Sequence, residues 1–221
     1  MGTFFTDRLG GTSSNQFASL NLGDHVGDSP EIVAANRALI SAKFGPTQYM
    51  SQVHGNRVAI IEEVTDEYPT ADALVTGIPG ITLAVMVADC IPLLLRSKGA
   101  VAAVHVGRKG LLNRVAEKAI DVMREISDAQ ISAIIGPAIC GKCYEVSPEI
   151  FSEVTSSHPE SASCTEANTP SLDLVTALIS DLRKLGIAEI DNQSRCTLEH
   201  KDLYSYRRDG ATGRQVGLVW L

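Results

Sequence analysis

The sequence predicts an α/β (α+β) sandwich, a mixed sheet core flanked by helices, folded as a single domain. Three observations carry this. Strand-length runs that are apolar on both faces alternate with amphipathic stretches of helical period. At 221 residues, with 44% hydrophobic and 20% charged, the chain can bury a proper core without disulfide staples. No Pro/Gly/Ser-rich linker divides it, so one domain over residues 1–221 is expected.

The elements follow in order. Asp28-Ser29-Pro30 reads as a helix start with proline in the first turn, leading into 31–43 and stopped by Gly45-Pro46. Residues 57–64 read as a strand, and 81–90 as a buried one. Residues 100–106 form another buried strand whose alternation sets Val101, Ala103 and His105 on one inward face. A helix over about 111–126 follows, with Leu112, Val115, Ala119, Val122 and Ile126 along its apolar side. A short strand is expected at 131–135. The stretch 156–170, rich in Ser, Thr, Pro and Glu, reads as an exposed excursion. Ser171-Leu172-Asp173 opens a second amphipathic helix running to about 185, with Gly186 as its cap. Residues 215–221 close the chain as a strand.

Composition excludes several function classes. The formal charge is −7, which argues against a non-specific nucleic-acid binder, and 5% aromatics leave few base-stacking platforms. The most apolar stretch, 81–95, is broken by Asp89 and Pro92 and is shorter than the roughly 20 residues of a membrane span. Residues 1–10 carry no apolar signal-peptide core, and the five cysteines, an odd number, suit thiols, metal ligands or a nucleophile. A cytoplasmic protein is the expectation.

Chemistry gathers at the ends of the expected strands: His54 in Gln52-Val53-His54-Gly55, Cys90 in Ala88-Asp89-Cys90, and His105 in Val104-His105-Val106-Gly107. Polar residues ending apolar strands need partners or a purpose. They could be satisfied core residues, or a two-His, one-Cys set leaving a fourth position open, as catalytic zinc sites do. With a nearby methionine the same set suits a blue-copper centre. Cys140-Gly141-Lys142-Cys143 is a CxxC: incidental loop thiols, a redox pair, or half of a second metal site with Cys164, Cys196 or His200. Arg207, Arg208 and Arg214 crowd around Gly210 and Gly213, suited either to a bidentate anion or to a solvated hairpin paired with Asp202 and Asp209. Asn36-Arg37 falls on the first helix, where surface placement is the default.

Taken together, these pieces resemble the YfiH or laccase-domain family, once called polyphenol oxidases. The matching segments run nearly the whole chain. They are Ser19-Leu20-Asn21-Leu22-Gly23 with Gly27-Asp28, Asn36-Arg37, Gln52-Val53-His54-Gly55, Ala71-Asp72-Ala73-Leu74-Val75-Thr76, Ala88-Asp89-Cys90-Ile91-Pro92, and Ala103-Val104-His105. Gly136-Pro137-Ala138-Ile139 with Cys143-Tyr144-Glu145-Val146, and Ser205-Tyr206-Arg207-Arg208-Asp209-Gly210 with Thr212-Gly213-Arg214-Gln215, complete the set. Two departures stand out: Val106-Gly107-Arg108-Lys109-Gly110 lacks the family's tryptophan, and the cysteines before Tyr-Glu-Val are rearranged to Cys140 and Cys143.

The resemblance implies a single α/β sandwich shared at a distance with Cys–His deamidases. It makes His54, Cys90 and His105 zinc ligands in a purine nucleoside enzyme. That enzyme would phosphorolyse adenosine, inosine and methylthioadenosine to base and sugar 1-phosphate, and deaminate adenosine to inosine. Purine nucleosides and phosphate are then the partners, without nucleic acid or membrane. Cys90, Asp89 and Glu145 are the catalytic candidates, and Asp89 shares the site of Cys90 only if the chain bends before Pro92. Asn21, Arg37, Arg207 and Arg208 are the substrate- and phosphate-binding candidates. Three alternatives stay open. One is an amidase editing cell-wall peptide precursors, with Cys90 as nucleophile and His105 as base. Another is a mononuclear copper oxidase with Met86 or Met50 axial, since five histidines, His25 and His158 among them in loops, are too few for a multicopper centre. The last is a metal-stabilised binding protein.

Overall fold

The computed structural model describes residues 1–221. Its strands are β1 (Gly2–Phe5), β2 (Thr47–Gln48), β3 (Val58–Ile60), β4 (Ala73–Thr76), β5 (Thr82–Val87), β6 (Ile91–Arg96), β7 (Val101–Val106), β8 (Ser132–Ile135), β9 (Ala162–Cys164), β10 (Pro170–Leu172), β11 (Ile190–Asn192) and β12 (Gln215–Trp220). Its helices are α1 (Pro30–Phe44), α2 (Arg108–Leu112), α3 (Val115–Ile126), α4 (Pro148–Ser157), α5 (Leu174–Lys184) and α6 (Tyr206–Asp209). No helix is long and apolar enough to cross a membrane.

Two mixed sheets stack face to face between layers of helix. The larger runs β11-β8-β6-β7-β4-β3, the smaller β1-β12-β5-β2, and β9 and β10 form a separate hairpin. Strand alternation sorts the larger sheet cleanly. Leu74, Leu94, Val101, Ala103 and Ile134 point between the sheets, where they meet Leu83, Val85 and Val87 of β5 and Val219 of β12. Their neighbours Val75, Leu93, Leu95, Ala102, Val104 and Ile135 point the other way, against α3 and α5. The outer face of the smaller sheet, through Ala84, Met86, Val216 and Leu218, receives Ile40 of α1. Apolarity on both faces, legible in the sequence, reflects this burial from two sides.

Several expectations are corrected. The strand expected at 81–90 ends at Val87. Ala88, Asp89 and Cys90 make a turn, with Asp89 at φ +98°, and β6 starts at Ile91. Of the three site residues placed at strand ends, only His105 lies there; His54 sits in a loop at φ +56° and Cys90 in the turn. The helix expected at 111–126 is two, α2 and α3, separated by Arg114 in the left-handed region at φ +63°. Val115 and Ala119 are buried as expected, whereas Ile126 at its end is exposed. The excursion at 156–170 is not one loop: it holds the end of α4, a 3-10 turn at Pro159–Ser161 and the β9 hairpin. His158, expected in an exposed loop, is buried, with Nε2 2.9 Å from Asp181 Oδ2. Helix α5 keeps its Asp173 cap, whose carboxylate accepts from Thr176 N, and Gly186 adopts φ +83° just beyond it.

Candidate metal centre and active-site cleft

Strand β7 is central in the larger sheet, and its neighbours bring the site together. The antiparallel register pairs Ala73 with Val104, which carries Asp72, one residue before β4, opposite His105. On the other side Ile91 pairs with Val106, so Cys90, one residue before β6, comes to lie beside Gly107. Loop residue His54 closes the set, its ring 4.7 Å from that of His105 and inclined at 61°. The donor atoms of His54, Cys90 and His105 all lie within 4.8 Å of one another.

Asp72 organises two of the three. Its Oδ1 accepts from His105 Nδ1 at 2.8 Å and from His54 N at 2.9 Å, while Oδ2 accepts from Gly55 N at 2.6 Å and Val53 N at 3.3 Å. Its carbonyl accepts from His105 N at 2.8 Å. A carboxylate on Nδ1 fixes the tautomer that leaves Nε2 free to ligate, the usual support for a metal-bound histidine. Gly107 has no side chain to obstruct the set: a Cβ there would lie 2.9 Å from Cys90 Sγ and 3.0 Å from His54 Nδ1. One thiolate and two imidazoles with a carboxylate behind them fit zinc, which takes sulfur and nitrogen donors.

The electrostatics follow from the geometry. Burial opposes ionisation of Cys90, but the charge and hydrogen bond of His105, with a hydrogen bond from His54, outweigh it and bring the thiol from 9.0 down to about 6. Burial likewise opposes protonation of His105, yet Cys90 and Asp72 raise the imidazole from 6.5 to about 9. Asp72, against burial, stays below the usual carboxylate range because His105 and the loop N–H groups bind its charged form.

The set lies in a cleft of about 370 Å³, within the range of small-molecule sites. Gln52, Met86, Asp89, Tyr144, Tyr206, Arg207 and Arg214 share its lining, and His25 stands at its edge in an exposed loop. The chain does bend before Pro92, so Asp89 reaches the cleft. Both its oxygens are engaged, Oδ1 by Thr197 Oγ1 at 2.6 Å and Oδ2 by Arg207 N at 2.7 Å. Arg207 lies over the Tyr144 ring and donates through Nη1 to the Glu145 carbonyl at 2.8 Å.

Other candidates are placed elsewhere. Arg37 is buried, not on the surface. It donates to the Leu22 carbonyl through Nε and Nη2, pairs with Asp24 at 3.3 Å, and stacks on Tyr49 and Tyr68. Asn36 is buried as well, bonded to Ser13, Thr12 and the Asn21 carbonyl. Arg208 binds the carbonyls of Thr197, Leu198, His200 and Leu203 together with Asp209. Asn21 holds Gly23 N and Arg214 N, so it supports the cleft from behind. Glu145 is exposed outside the cleft and contributes its carbonyl. Met86 turns its sulfur to Arg37 Nη2 at 3.5 Å, and Met50 is buried between the sheets, so neither belongs to the donor set. Arg214, read in the sequence as one of three clustered arginines, lines the cleft in their stead, its Nη1 on the Thr212 and Gly213 carbonyls. Asp72, Gln52 and Tyr144 were visible only as parts of motifs, and their roles appear only once register pairs the strands.

A family model described as multi-copper polyphenol oxidoreductase laccase matches residues 2–221. A Corynebacterium glutamicum protein named purine nucleoside phosphorylase is 43% identical, covering 98% of this chain and 93% of its own. One of the same name from Streptomyces coelicolor is 42% identical over 98% and 94%. Among solved structures, a Neisseria meningitidis protein of family DUF152 superposes at a TM-score of 0.91 with 36% identity, covering 99% of this chain and 93% of that one. Bacillus licheniformis YfiH gives 0.87 at 28% identity, over 98% and 91%.

Proposed function

We propose that this chain, which belongs to the multi-copper polyphenol oxidoreductase laccase family, is a zinc-dependent purine nucleoside phosphorylase. The observation that carries the reading is the juxtaposition, in one cleft, of the His54–Cys90–His105 donor set with the guanidinium groups of Arg207 and Arg214. The names of the relatives supply the substrate class. In phosphorolysis the C1′–N9 bond breaks, phosphate oxygen bonds C1′, and the departing base takes a proton. His54, Cys90 and His105 would hold a zinc ion, which when bound would supply Lewis-acid charge in the cleft.

The chain's own residues do the rest. Arg207 Nε and Nη2 have no partner within the protein and hold the phosphate, with Arg214 beside them. Asp89 fixes the Arg207 backbone, and Tyr144 supports its guanidinium from below. Asp72 keeps His105 Nε2 directed at the site. The reading extends to adenosine, inosine and methylthioadenosine, and to deamination of adenosine, in which water adds at C6 and ammonia leaves. Its cysteine ligand needs a reduced thiol, which suits the cytoplasm. Zinc-replete protein given inosine and phosphate is expected to form hypoxanthine and ribose 1-phosphate, and none without phosphate. No base release sinks the proposal, and stoichiometric copper with a blue thiolate band replaces zinc in it.

One observation favours a second reading. Cys90, His105 and Asp72 are arranged as a thiol, base and orienting carboxylate, the parts of an amidase acting on cell-wall peptide precursors. Rapid alkylation of Cys90 in zinc-loaded protein would favour it; protection by zinc favours the phosphorylase.

A further inference from the structure

We infer that Cys140, Cys143, Cys196 and Glu199 form a second, structural zinc site, separate from the His54–Cys90–His105 set and sharing no ligand with it. Their sulfur and carboxylate atoms all lie within 4.8 Å of one another. Two loops bring them there. The CxxC closes a tight turn in which Cys143 N and Tyr144 N both donate to the Cys140 carbonyl, at 3.1 and 3.0 Å. The second loop is pinned to the first by a parallel bridge: Ala138 N donates to the Arg195 carbonyl at 3.1 Å and Thr197 N to the Ala138 carbonyl at 3.2 Å. That bridge sets Cys196 against the CxxC, and Glu199 follows three residues later.

The separations suit a tetrahedral ion. Bond lengths of about 2.3 Å to sulfur and about 2.0 Å to oxygen place sulfur and oxygen ligands roughly 3.5 Å apart. Glu199 Oε1 stands 3.3 Å from Cys143 Sγ and 3.8 Å from Cys140 Sγ, on either side of that value. No lysine or arginine pairs with the exposed Glu199 carboxylate, whose Oε1 accepts from the Cys140 and Cys143 thiols. Three thiolates select a thiophilic ion, and the carboxylate favours divalent zinc over copper(I). Four protein ligands fill the tetrahedron, which leaves no position for substrate and makes the ion a cross-link. It would staple the loop carrying Ile139 and Tyr144, both in the cleft lining, to the loop whose Thr197 holds Asp89.

Metal analysis of the full chain, purified without chelator under reducing conditions, tests this. The expected content is two zinc ions per chain, falling to one in Cys90→Ser and to one in Cys196→Ser or Cys143→Ser. One ion that survives Cys90→Ser but not Cys196→Ser supports the second site and sinks the first. One ion that does the reverse overturns this inference, as does a Cys140–Cys143 disulfide found by mass spectrometry in the native protein. Should the Cys143 and Cys196 variants fail to fold, cobalt loading of the intact chain and of Cys90→Ser gives the answer. Three of four thiolates lie at the second site, so Cys90→Ser should keep about three-quarters of the thiolate-to-cobalt absorption; loss of the whole band overturns the inference.

Discussion

Asp72 uses one carboxylate to hold two members of the candidate donor set, His105 through its ring and His54 through the backbone of its loop. Removing it should therefore free both: Asp72→Ala is expected to weaken zinc binding at this site about 10–100-fold, measured by competition with a chromophoric chelator. The protonation states give a second expectation. In zinc-free protein the raised His105 contributes stability that is full below its ordinary 6.5 and lost as pH rises through about 9. The depressed Cys90 contributes stability that is full above its ordinary 9.0 and lost as pH falls through about 6. Between about 6 and 9 the two stand as thiolate and imidazolium, and a metal can ligate His105 only after its Nε2 proton leaves. Measured in Cys196→Ser, which removes a ligand of the second set, zinc binding at this site should release about one proton per chain, read by calorimetry in buffers of different ionisation enthalpy. No release would mean that His105 is neutral before binding or is not a ligand. The His54–Cys90–His105 set was legible in the sequence through its short motifs rather than through strand ends, since only His105 lies in a strand. Asp72 was not, since an aspartate before a short strand declares nothing until register sets it opposite His105. Arg37 and Arg208 misled for a physical reason: a guanidinium binds backbone carbonyls as readily as it binds phosphate, and the sequence does not say which it will meet.

At the scale of elements, the periodic segments could be read and the breaks between them could not. Helix α1, strand β7, helix α5 and strand β12 fall where spacing and caps set them. The apolar run 81–95 gives no sign that it folds back on itself. Its turn is held by contacts distant in sequence, Asp89 on Thr197 and on the Arg207 backbone. The split between α2 and α3 is similarly silent, because Arg114 carries no signal for the left-handed conformation it adopts. Helix α6 is short, yet it presents Arg207 to the cleft, with Ser205 Oγ accepting from Arg208 N at its start. Arg207→Ala should therefore leave zinc content unchanged and raise the KM for phosphate by the equivalent of about 1.5–3 kcal/mol, the value of a charge-assisted hydrogen bond. An unchanged KM would remove Arg207 from the anion site and leave Arg214 alone in that role.

Across the whole molecule, the core and the chemistry are built from opposite ends of the same strands. Leu94 and Ala103 fill the space between the sheets, while His105, two residues beyond Ala103 on the same face, opens into the cleft. The apolar clusters hold together without the ligand set, so damage to one should not be damage to the other. Cys90→Ser tests one direction: it is expected to abolish nucleoside turnover and lose the ion of this site while keeping a native circular-dichroism spectrum. Leu94→Ala tests the other. Leu94 is fully buried between the sheets, and truncating it costs about 2–5 kcal/mol. For a domain of this size that lowers Tm by roughly 4–20 °C, with turnover retained below the transition. A Cys90→Ser protein that unfolds outright would show that the ion holds the sandwich together. A Leu94→Ala protein that stays folded but loses its zinc would show that the spacing between the sheets sets the geometry of the ligands. Both outcomes would contradict the separation of scaffold from site that the packing implies.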